Sequence, residues 1–432
     1  MRINWFSPLA PARTDIAHFT SRLLPALSAR AEVVLWTDQP HWHSGLRQHA
    51  EVRHFDPDAM DWPALDRAAA TFYNIGNDAR FHSGIWTVAQ QYPGFAIMHD
   101  VYMHDSLWFD HHEREDREGY LAAMESLYGA SGRRDARFYW DGVLPLESLS
   151  RLYTCAPFFL ESALGAVVHS RAAARSLAAE IDLPVTRLDL PYPARPEPAP
   201  HSGPPPWRLV VVGYLGANRC LDRILSALAS LENPEQFRLH IYGQILEPAP
   251  VAEQIAALRL ESLVTIHGFV SEAELNAALD AAHLAVNLRF PTKGEASGSQ
   301  LRLWSHGLPS IVTRLGWYAE LPEDTAAFVR PQAIAEDLRE RLREYAAAPG
   351  RFAAFGRKGY EYLAARHSPE RYAAGLVGMA ENAAAWRRQW NARRIASRAK
   401  RALGGWIDAA PGFRERVERE AGELAGCPGD RP

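Results

Sequence analysis

Short apolar runs recur along the chain and alternate with longer stretches in which apolar residues return every three or four positions. Runs of this length are typical of buried parallel strands, and the periodic stretches are typical of helices packed on one face. The predicted strands are 3–6, 32–37, 70–75, 95–98, 165–169, 208–212, 239–243, 264–268, 286–288 and 308–312. The main predicted helices are 113–128, 144–164, 171–181, 221–231, 272–281 and 298–306. This alternation predicts an α/β protein with doubly wound sheets.

A proline-rich stretch divides the chain into two parts. Eight prolines fall between Pro191 and Trp207, and such a composition is typical of a stiff, extended connector. Near the end of the second part, Ser368 and Pro369 have the order of an N-cap and a first helical residue. The predicted segments are a first domain at 1–190, a linker at 191–207, a second domain at 208–366, a closing helix at 367–385 and a basic helical tail at 386–432.

Composition excludes some classes of protein. The chain has 432 residues, 47% of them hydrophobic, and a formal net charge of −4, so it can fill two cores and has no general attraction to nucleic acid. Three widely spaced cysteines, Cys155, Cys220 and Cys427, favour a reducing compartment. The N-terminal sequence lacks the apolar segment of a signal peptide, and no apolar run approaches the roughly 20 residues that cross a bilayer. We therefore expect a cytoplasmic protein.

The most informative stretch is the loop before the predicted helix 298–306. It is rich in small residues and carries one carboxylate, Glu295. Ser297, Gly298 and Ser299 would leave the amides of the first helical turn open, and with the helix dipole these form a site for phosphate or pyrophosphate. A neighbouring glutamate can accept hydrogen bonds from two sugar hydroxyl groups. The alternative is an ordinary connection, since a strand, a small-residue loop and a helix occur in every doubly wound sheet.

The same stretch resembles the sugar-nucleotide loop of retaining glycosyltransferases of family 4, which have the GT-B fold. Those enzymes carry a glutamate-rich motif at this point, followed by a helix and Gly-x-Pro, as in GLP at 307–309. They usually have a second glutamate eight residues after the first, where this chain has Leu303. The sequence GEASGS followed by Arg302 is similar to a subgroup of bacterial polysaccharide transferases. The resemblance covers residues 2–379 and leaves the ribose-binding role of the second glutamate unassigned.

The resemblance implies two Rossmann-like domains facing each other across a cleft, with the donor held by the second domain and the acceptor by the first. The implied reaction is transfer of a hexose-type sugar from a nucleoside diphosphate sugar to a glycan or lipid-linked glycan, with retention of configuration. Arg219 takes the place of a basic residue that neutralises the donor pyrophosphate, whereas Tyr214 replaces a second arginine. The implied donor-binding residues are Gly213, Asn218, Arg289, Ser297, Gly298, Ser299 and Arg302.

Two segments of the first domain, YNIGN at 73–77 and PGFAIMHD at 93–100, resemble the same transferases. His99 occupies the position of a histidine that lies beside the donor sugar, where a neutral imidazole can hydrogen-bond a hydroxyl group. The alternative is a histidine that only caps its loop. The implied catalytic residues are Glu295, His99 and Arg219. The implied residues of the acceptor side and cleft are Thr14, Asp15, Asn77 and Asp100.

No cofactor or metal ion is expected. The loop 7–15 lacks the G-x-G-x-x-G fingerprint of dinucleotide binding. Four histidines and three aspartates lie between His99 and His112, and these residue types can bind zinc. They spread over a strand end, a loop and a predicted helix start, and they contain no H-E-x-x-H motif. Polarity around a cleft explains the same residues, and GT-B transferases do not need a bound metal.

Two other functions remain open. A sugar-nucleotide 2-epimerase shares this fold, although its acid and base groups cannot be placed in this sequence. A catalytically silent protein that binds nucleotide sugars or serves in assembly fits the missing second glutamate and arginine. Slow release of nucleoside diphosphate without an acceptor would favour the transferase.

The tail from Trp386 to Trp406 contains seven basic residues and no acidic one. Trp386 and Trp390 lie one helical turn apart, and a basic face edged by tryptophans suits the headgroup region of an anionic membrane. One hypothesis is therefore peripheral contact with the inner face of a membrane. The alternative is a solvated helix whose tryptophans pack on the first domain, and Gly404 and Gly405 favour it because they interrupt the pattern.

Overall fold

A computed structural model describes residues 1–144, 149–150, 152–198, 200–403 and 419–420, with the backbone alone for 396–403. The chain divides into two compact units. The first unit contains Met1–Val168, Ser176–Thr186 and the chain from Ala373 onward, and the second contains His169–Arg175 and Arg187–Tyr372. Each unit is built on one sheet of its own.

The first unit has a seven-stranded sheet with the strand order β3-β2-β1-β4-β5-β6-β7. Its strands are β1 (Arg2–Phe6), β2 (Glu32–Thr37), β3 (Glu51–His54), β4 (Ala70–Ile75), β5 (Phe95–Met98), β6 (Gly165–Val168) and β7 (Val185–Arg187). The ladders from β3 to β6 are parallel. The order reverses between β1 and β4, and open α/β sheets bind ligands outside the carboxyl ends of the strands at such a reversal.

Most helices of the first unit begin at a side chain that caps them. Thr14, Asp78 and Asp116 each accept a hydrogen bond from an amide of the first turn that follows, because those amides have no partner within the helix. The helices between β1 and β7 are Asp15–Ser28, Trp62–Leu65, Ala79–Gln91, His104–Glu113, Arg117–Trp140, Ala156–Leu160 and Arg171–Glu180, with a short 3₁₀ helix at Ser44–Gln48.

The second unit has a six-stranded sheet with the order β10-β9-β8-β11-β12-β13. Its strands, whose ladders are all parallel, are β8 (Trp207–Val212), β9 (Phe237–Tyr242), β10 (Val264–Gly268), β11 (Leu284–Asn287), β12 (Ser310–Thr313) and β13 (Ala327–Val329). Its helices are Leu221–Ala229, Pro248–Ala257, Glu272–Asp280, Gly298–Ser305, Ile334–Ala347 and Pro349–Arg366, with 3₁₀ turns at Ala217–Arg219, Pro234–Gln236 and Gly316–Glu320.

Strand β8 explains why this sheet needs helices on both faces. Leu209 and Val211 pack into one hydrophobic cluster, and Val210 and Val212 pack into another on the opposite face. Successive residues of a strand point to opposite faces, so an uninterrupted apolar run must be covered twice. The continuous runs in the sequence therefore predict the layers correctly, and every strand predicted from them is present.

The proline-rich segment contains no helix or strand in its described part before β8, and it is attached to the second unit. The Arg195 guanidinium donates to the Asp280 carboxylate at 2.8 and 3.2 Å. The two ring nitrogens of His201 lie 2.7 Å from the carbonyl oxygen of Ala282 and 2.8 Å from that of His306. Polar side chains of the proline-rich segment thus attach it to the rest of the second unit.

Two helix predictions in the first unit are wrong. The stretch 113–128 is not one helix, because Glu113 ends the helix His104–Glu113 and a new helix begins at Arg117 after the Asp116 cap. Within the stretch 144–164, the described part is helical at 149–150, at 152 and in the separate helix Ala156–Leu160. Cys155 precedes it with φ of 56°, a left-handed conformation that interrupts a helix. Residues 145–148 and 151 of that stretch lie outside the described part. The apolar pattern also does not predict the short strands β3 and β7.

After the helix Pro369–Glu381, the tail forms the helix Ala383–Leu403, and its tryptophans face protein. The Trp386 ring meets the Phe95 ring edge-on at a centroid distance of 5.3 Å. Trp390 is buried, and Arg393 donates to the carbonyl oxygen of Leu164 at 3.2 Å. These contacts support the alternative in which the tryptophans pack on the first domain. Trp406 and the rest of the predicted tail, apart from 419–420, lie outside the described residues.

Candidate functional site

In the second unit, the loops after β8 and β11 meet at the reversal of strand order. The loop after β8 leads from Gly213 into the 3₁₀ turn Ala217–Arg219, and the loop after β11 leads into the helix Gly298–Ser305. The amide of Phe290 donates to the carbonyl oxygen of Asn218 at 2.8 Å and joins the two loops. The predicted donor-binding residues of these loops therefore lie at the edge where open α/β sheets bind ligands.

Arg219 is a buried cation in this edge. Its side chain is 2% exposed, and its Nη2 donates to the carbonyl oxygen of Val212 at 2.6 Å and to Oδ1 of Asn287 at 3.1 Å. Its Nε has no hydrogen-bond partner, and it forms no ion pair with any residue that the structure describes. A buried charge without a counter-charge is unfavourable, so this arrangement favours an anionic ligand.

Asn287, the last residue of β11, holds Arg219 in place. Its Oδ1 accepts from Arg219, and its Nδ2 donates to Oε1 of Gln300 at 3.1 Å. Gln300 in turn donates to Oγ of Ser310 at 2.7 Å. Asn287, Gln300 and Ser310 are all buried, and a connected buried network of hydrogen bonds orients its members firmly. Neither Asn287 nor Gln300 is among the predicted site residues, although each is a lone amide in an apolar stretch.

The helix Gly298–Ser305 presents its first turn to open space. Oγ of Ser297 accepts from the amide of Gln300 at 3.1 Å, which leaves the amides of Gly298 and Ser299 as the unpaired donors of this turn. A Cβ atom placed on Gly298 would meet no atom within 4 Å. The structure therefore has the open helix start that the sequence predicts, with room beside it, and anion binding there stays a prediction.

Two glycines allow the loops to approach this helix. Gly213 has φ of 122°, and a Cβ atom on it would lie 3.4 Å from both Nη2 of Arg219 and Oγ of Ser299. Gly243 has φ of 116°, and a Cβ atom there would collide with the carbonyl group of Gly213. Both φ values favour glycine, and at Gly243 the collision also excludes any side chain. Gly213, Arg219 and Ser299 are thus brought together around one small space.

Glu295 is already engaged within its own loop. Oε1 accepts from Nε of Arg289 at 2.8 Å, and Oε2 accepts from Oγ1 of Thr292 at 2.9 Å and from the amide of Lys293 at 2.7 Å. The side chains of Glu295 and Arg289 are 15% and 13% exposed. The carboxylate thus shapes the loop and compensates Arg289, in addition to the sugar contact that the resemblance implies.

Two further groups complete the surroundings of the second-unit site. Arg302 forms an ion pair with Glu272 at 3.0 Å, so a neighbouring helix already supplies a counter-charge to this predicted donor-binding cation. Tyr318 is buried, and burial raises its pKa to about 12, against the lowering effect of the nearby Arg289 charge. Tyr318 therefore stays a neutral phenol at neutral pH.

The predicted residues of the first unit follow β1, β4 and β5. Thr14 caps the helix Asp15–Ser28, whose first residue is exposed. The backbone amide of Asn77 donates to Oδ2 of Asp100 at 2.9 Å. The side-chain oxygen Oδ1 of Asn77 accepts from the backbone amide of Ser106 at 3.0 Å. Asn77 and Asp100 therefore lie together, and both side chains help to hold their loops.

His99 is oriented by an amide that the sequence does not single out. Nε2 of His99 lies 3.0 Å from Oδ1 of Asn74, and the Phe19 ring lies edge-on to the imidazole at a centroid distance of 4.7 Å. Asn74 is the only polar side chain in the last three residues of β4, and such a residue at the end of a buried strand is the signal that could have identified it.

The other histidines between His99 and His112 have separate partners. His104 contacts the Tyr120 hydroxyl group at 2.7 Å, His111 contacts Asp116 at 3.0 Å, and His112 stacks on Trp108. Across the part of the chain that the structure describes, no group of three or more His, Cys, Asp or Glu side chains is placed to hold a metal ion. Within the same part, no helix has the length and apolar character needed to cross a membrane.

Comparison with solved structures shows the fold class. Sucrose-phosphate synthase from Thermosynechococcus elongatus is 16% identical and has a TM-score of 0.62, covering 89% of this chain and 99% of that one. WaaG, a glycosyltransferase involved in lipopolysaccharide biosynthesis, is 16% identical with a TM-score of 0.58 over 88% of this chain and 100% of its own. Anabaena HepE in complex with UDP is 13% identical with a TM-score of 0.58, over 88% and 100%. These matches confirm the predicted α/β fold, in which two Rossmann-like domains form the GT-B architecture.

A family comparison then identifies one segment. Residues 206–347, which lie in the second unit, match the family described as glycosyl transferases group 1. The matched segment contains Arg219, Glu295 and the helix Gly298–Ser305. A comparison of the sequence with curated proteins gives no match.

Proposed function

We propose that this protein is a glycosyltransferase that moves a hexose-type sugar from a nucleoside diphosphate sugar to a glycan or lipid-linked glycan acceptor, with retention of configuration. The observation that carries the proposal is Arg219, a buried cation that lacks an anionic partner among the described residues, beside the open start of the helix Gly298–Ser305. A pyrophosphate fits both features, because it supplies negative charge and several acceptor oxygens. The glycosyl transferases group 1 match over 206–347 supports the same chemistry.

In this mechanism, charge grows on the leaving group. As the bond between the anomeric carbon and the phosphate oxygen lengthens, the nucleoside diphosphate becomes more negative. Arg219 and the amides of Gly298 and Ser299 would stabilise the departing pyrophosphate more strongly than the bound donor. With retention, that pyrophosphate remains beside the positive anomeric carbon while the acceptor hydroxyl attacks from the same face and passes its proton to the departing phosphate oxygen. Glu295 and His99 would hold hydroxyl groups of the transferred sugar.

The similar solved structures suggest which donors and acceptors to test first. HepE is described in complex with UDP and with UDP-glucose, which makes uridine nucleotides the first donors to test. WaaG acts in lipopolysaccharide biosynthesis, which supports a glycan-type acceptor. We propose no cofactor and no required metal ion. A reducing location such as the cytoplasm fits the buried free thiols of Cys155 and Cys220, whereas Cys427 lies outside the described residues.

Arg219→Ala tests the proposal by calorimetry with UDP and with uridine. The variant should lose about tenfold or more in affinity for UDP, the value of one charge-assisted hydrogen bond, and much less for uridine, which has no phosphate. Arg393→Ala is the control, because Arg393 is also a partly buried arginine that donates to a backbone carbonyl but belongs to the first unit. Equal losses for UDP and uridine would mean that Arg219 supports the fold instead of a pyrophosphate.

A catalytically silent nucleotide-sugar-binding protein is the second candidate, and Leu303 favours it. Leu303 occupies the place of the family's second glutamate and is fully buried against Val210 and Val212, so no carboxylate can act from there. Donor hydrolysis separates the two functions. Slow release of UDP from a UDP sugar without an acceptor supports the transferase, whereas tight binding without any release supports the silent protein.

A further inference from the structure

Asn74 is a fully buried amide near the end of β4. Its Nδ2 donates to the carbonyl oxygen of Phe6 in β1 at 2.9 Å. A carbonyl oxygen only accepts hydrogen bonds, so the nitrogen of this amide must face Phe6 and the oxygen must face away. The orientation of the Asn74 side chain is therefore fixed by its partner in the neighbouring strand.

The oxygen of this amide determines where His99 carries its proton. Oδ1 of Asn74 lies 3.0 Å from Nε2 of His99. Because an amide oxygen cannot donate, the hydrogen in this contact belongs to Nε2, and in a neutral imidazole the lone pair then lies on Nδ1. Asn74 thus selects one of the two neutral tautomers of His99.

Other residues restrict the positions of both Asn74 and His99. Nδ1 of His82 lies 3.0 Å from the backbone oxygen of Asn74, and burial lowers the pKa of His82 to about 4, so this ring is neutral at pH 7 and donates through Nδ1. The amide of His99 donates to the carbonyl oxygen of Ile75 at 2.9 Å. The edge-on Phe19 ring limits rotation of the imidazole. The contact between Asn74 and His99 therefore lies in a rigid part of the sheet edge.

We propose that Asn74 is a positioning residue that keeps His99 in the tautomer protonated at Nε2, so that Nδ1 accepts a hydrogen bond from a sugar hydroxyl group. The inference rests on the proposed function, since the hydroxyl group belongs to the transferred sugar. The opposite tautomer would present an N–H group to that hydroxyl, which could still accept but could no longer donate to His99. The class of ligand assigned to His99 is thus a hydroxyl group that donates.

Histidine-selective ¹⁵N labelling tests the tautomer directly. Long-range ¹H–¹⁵N spectra distinguish a protonated from an unprotonated ring nitrogen, and the spectrum of His99→Gln assigns the His99 signals. In the wild-type protein we expect the proton on Nε2. Asn74→Ala removes the acceptor and should give a mixture of the two neutral tautomers. In sugar transfer, Asn74→Ala should lower kcat about tenfold, as expected for one misplaced hydrogen bond, with KM for the donor within about twofold.

Asn4→Ala is the matched control. Asn4 is an equally buried amide of β1 whose Nδ2 donates to the carbonyl oxygen of Leu65 at 3.0 Å and to Thr71 at 3.2 Å, and it has no contact with His99. This variant should lose stability while the His99 tautomer and kcat stay unchanged.

Three results would overturn the inference. These are a wild-type spectrum with the proton on Nδ1, an unchanged tautomer in Asn74→Ala, and the same loss of tautomer in Asn4→Ala. The wild-type spectrum, assigned with His99→Gln, is decisive even if neither asparagine variant folds. Failure of the proposed function looks different, because the protein would then bind no nucleoside diphosphate while Asn74 still controlled the tautomer.

Discussion

At the scale of single residues, the two charged groups of the second-unit site differ in how they are compensated. Glu295 has an arginine, a hydroxyl group and an amide as partners. Arg219 has only two neutral acceptors and one nitrogen without a partner. A buried cation retained in this condition indicates a missing anion, whereas a saturated carboxylate indicates a group that organises its surroundings. The two residues therefore call for different experiments.

Glu295→Gln should reduce turnover strongly and leave affinity for nucleoside diphosphate nearly unchanged. The amide keeps the size of the side chain, but its NH₂ group or its neutral oxygen must face Arg289, so the loop loses its charge compensation and the sugar loses a charged acceptor. Steady-state kinetics and calorimetry measure the two effects separately.

Glu272→Gln is the control for this substitution. It breaks another glutamate–arginine pair of the same unit, with Arg302, at a site where the glutamate side chain is 58% exposed. Turnover of Glu295→Gln within about a factor of two of the wild type would remove Glu295 from the mechanism.

Buried histidines make the stability of the chain depend on pH. Burial lowers the pKa of His82 from 6.5 to about 4, so between these values the unfolded chain binds more protons than the folded one. Stability should therefore fall as the pH falls from 6.5 to 4, by on the order of 3 kcal/mol for a shift of this size. His169 in the second unit has the same shift for the same reason.

Urea unfolding followed at several pH values measures this dependence. His82→Gln should be less stable than the wild type at pH 7.5 but should lose less stability on acidification. His49→Gln, at an exposed histidine, should follow the wild type. Parallel curves for the wild type and His82→Gln would show that His82 does not cause the acid sensitivity.

At the scale of elements, the C-terminal helix Ala383–Leu403 has two faces with different roles. Its tryptophan face packs on the first unit, where Trp386 contacts Phe95 and lies against Gly165. Its exposed face carries Arg388 and Arg394, so the membrane hypothesis now depends on charge and not on tryptophan anchors.

Substitutions on the two faces separate these roles. Trp386→Ala should destabilise the first unit by about 2 kcal/mol, because it removes a large, partly buried ring, and thermal unfolding measures this loss. Arg388→Glu combined with Arg394→Glu should cost about 1 kcal/mol or less, because the one packing contact it removes within the described chain is that of Arg394 over the Trp390 ring at 4.7 Å. If the helix contacts membranes, the charge variant should lose salt-sensitive cosedimentation with anionic vesicles. Equal recovery of the wild type and the charge variant in the supernatant would refute membrane contact.

At the scale of the whole molecule, each unit brings its ligand-facing residues to the carboxyl edge of its sheet, beside the reversal of strand order. In the second unit, the positive groups at that edge are a guanidinium and backbone amides. These groups can meet a pyrophosphate without a bridging cation. Metal independence of the reaction is therefore a prediction of the proposed mechanism.

Sugar transfer should continue when the enzyme is assayed in EDTA. The initial rate with excess chelator should agree with the rate in Mg²⁺ or Mn²⁺ within about twofold, since the leaving pyrophosphate is stabilised by protein groups. Loss of activity in EDTA with recovery on adding Mn²⁺ would contradict this mechanism. It would direct attention to the histidines and aspartates between His99 and His112.

The sequence by itself determined the layers of this protein. Short continuous apolar runs are typical of strands buried on both faces, so they predict both sheets. A serine before Gly298 predicts the helix start because its side chain accepts a hydrogen bond from an amide that has no partner within the helix. Short, half-exposed strands such as β3 carry too few apolar residues to be recognised. The local sequence pattern also does not reveal that one helix ends at Glu113 and the next begins at Arg117.

Only the tertiary structure decided what the polar side chains do. Arg219 meets Asn287 across 68 positions of sequence, and Asn74 meets Phe6 across the same separation, so no local pattern can reveal either contact. Whether a charge is compensated depends on residues brought near it by folding: Glu295 gained Arg289, Arg302 gained Glu272, and Arg219 gained no counter-charge from the described chain. Burial and partnership are properties of the assembled sheet edge, because hydrogen bonds and desolvation act over a few ångströms in space and not along the chain.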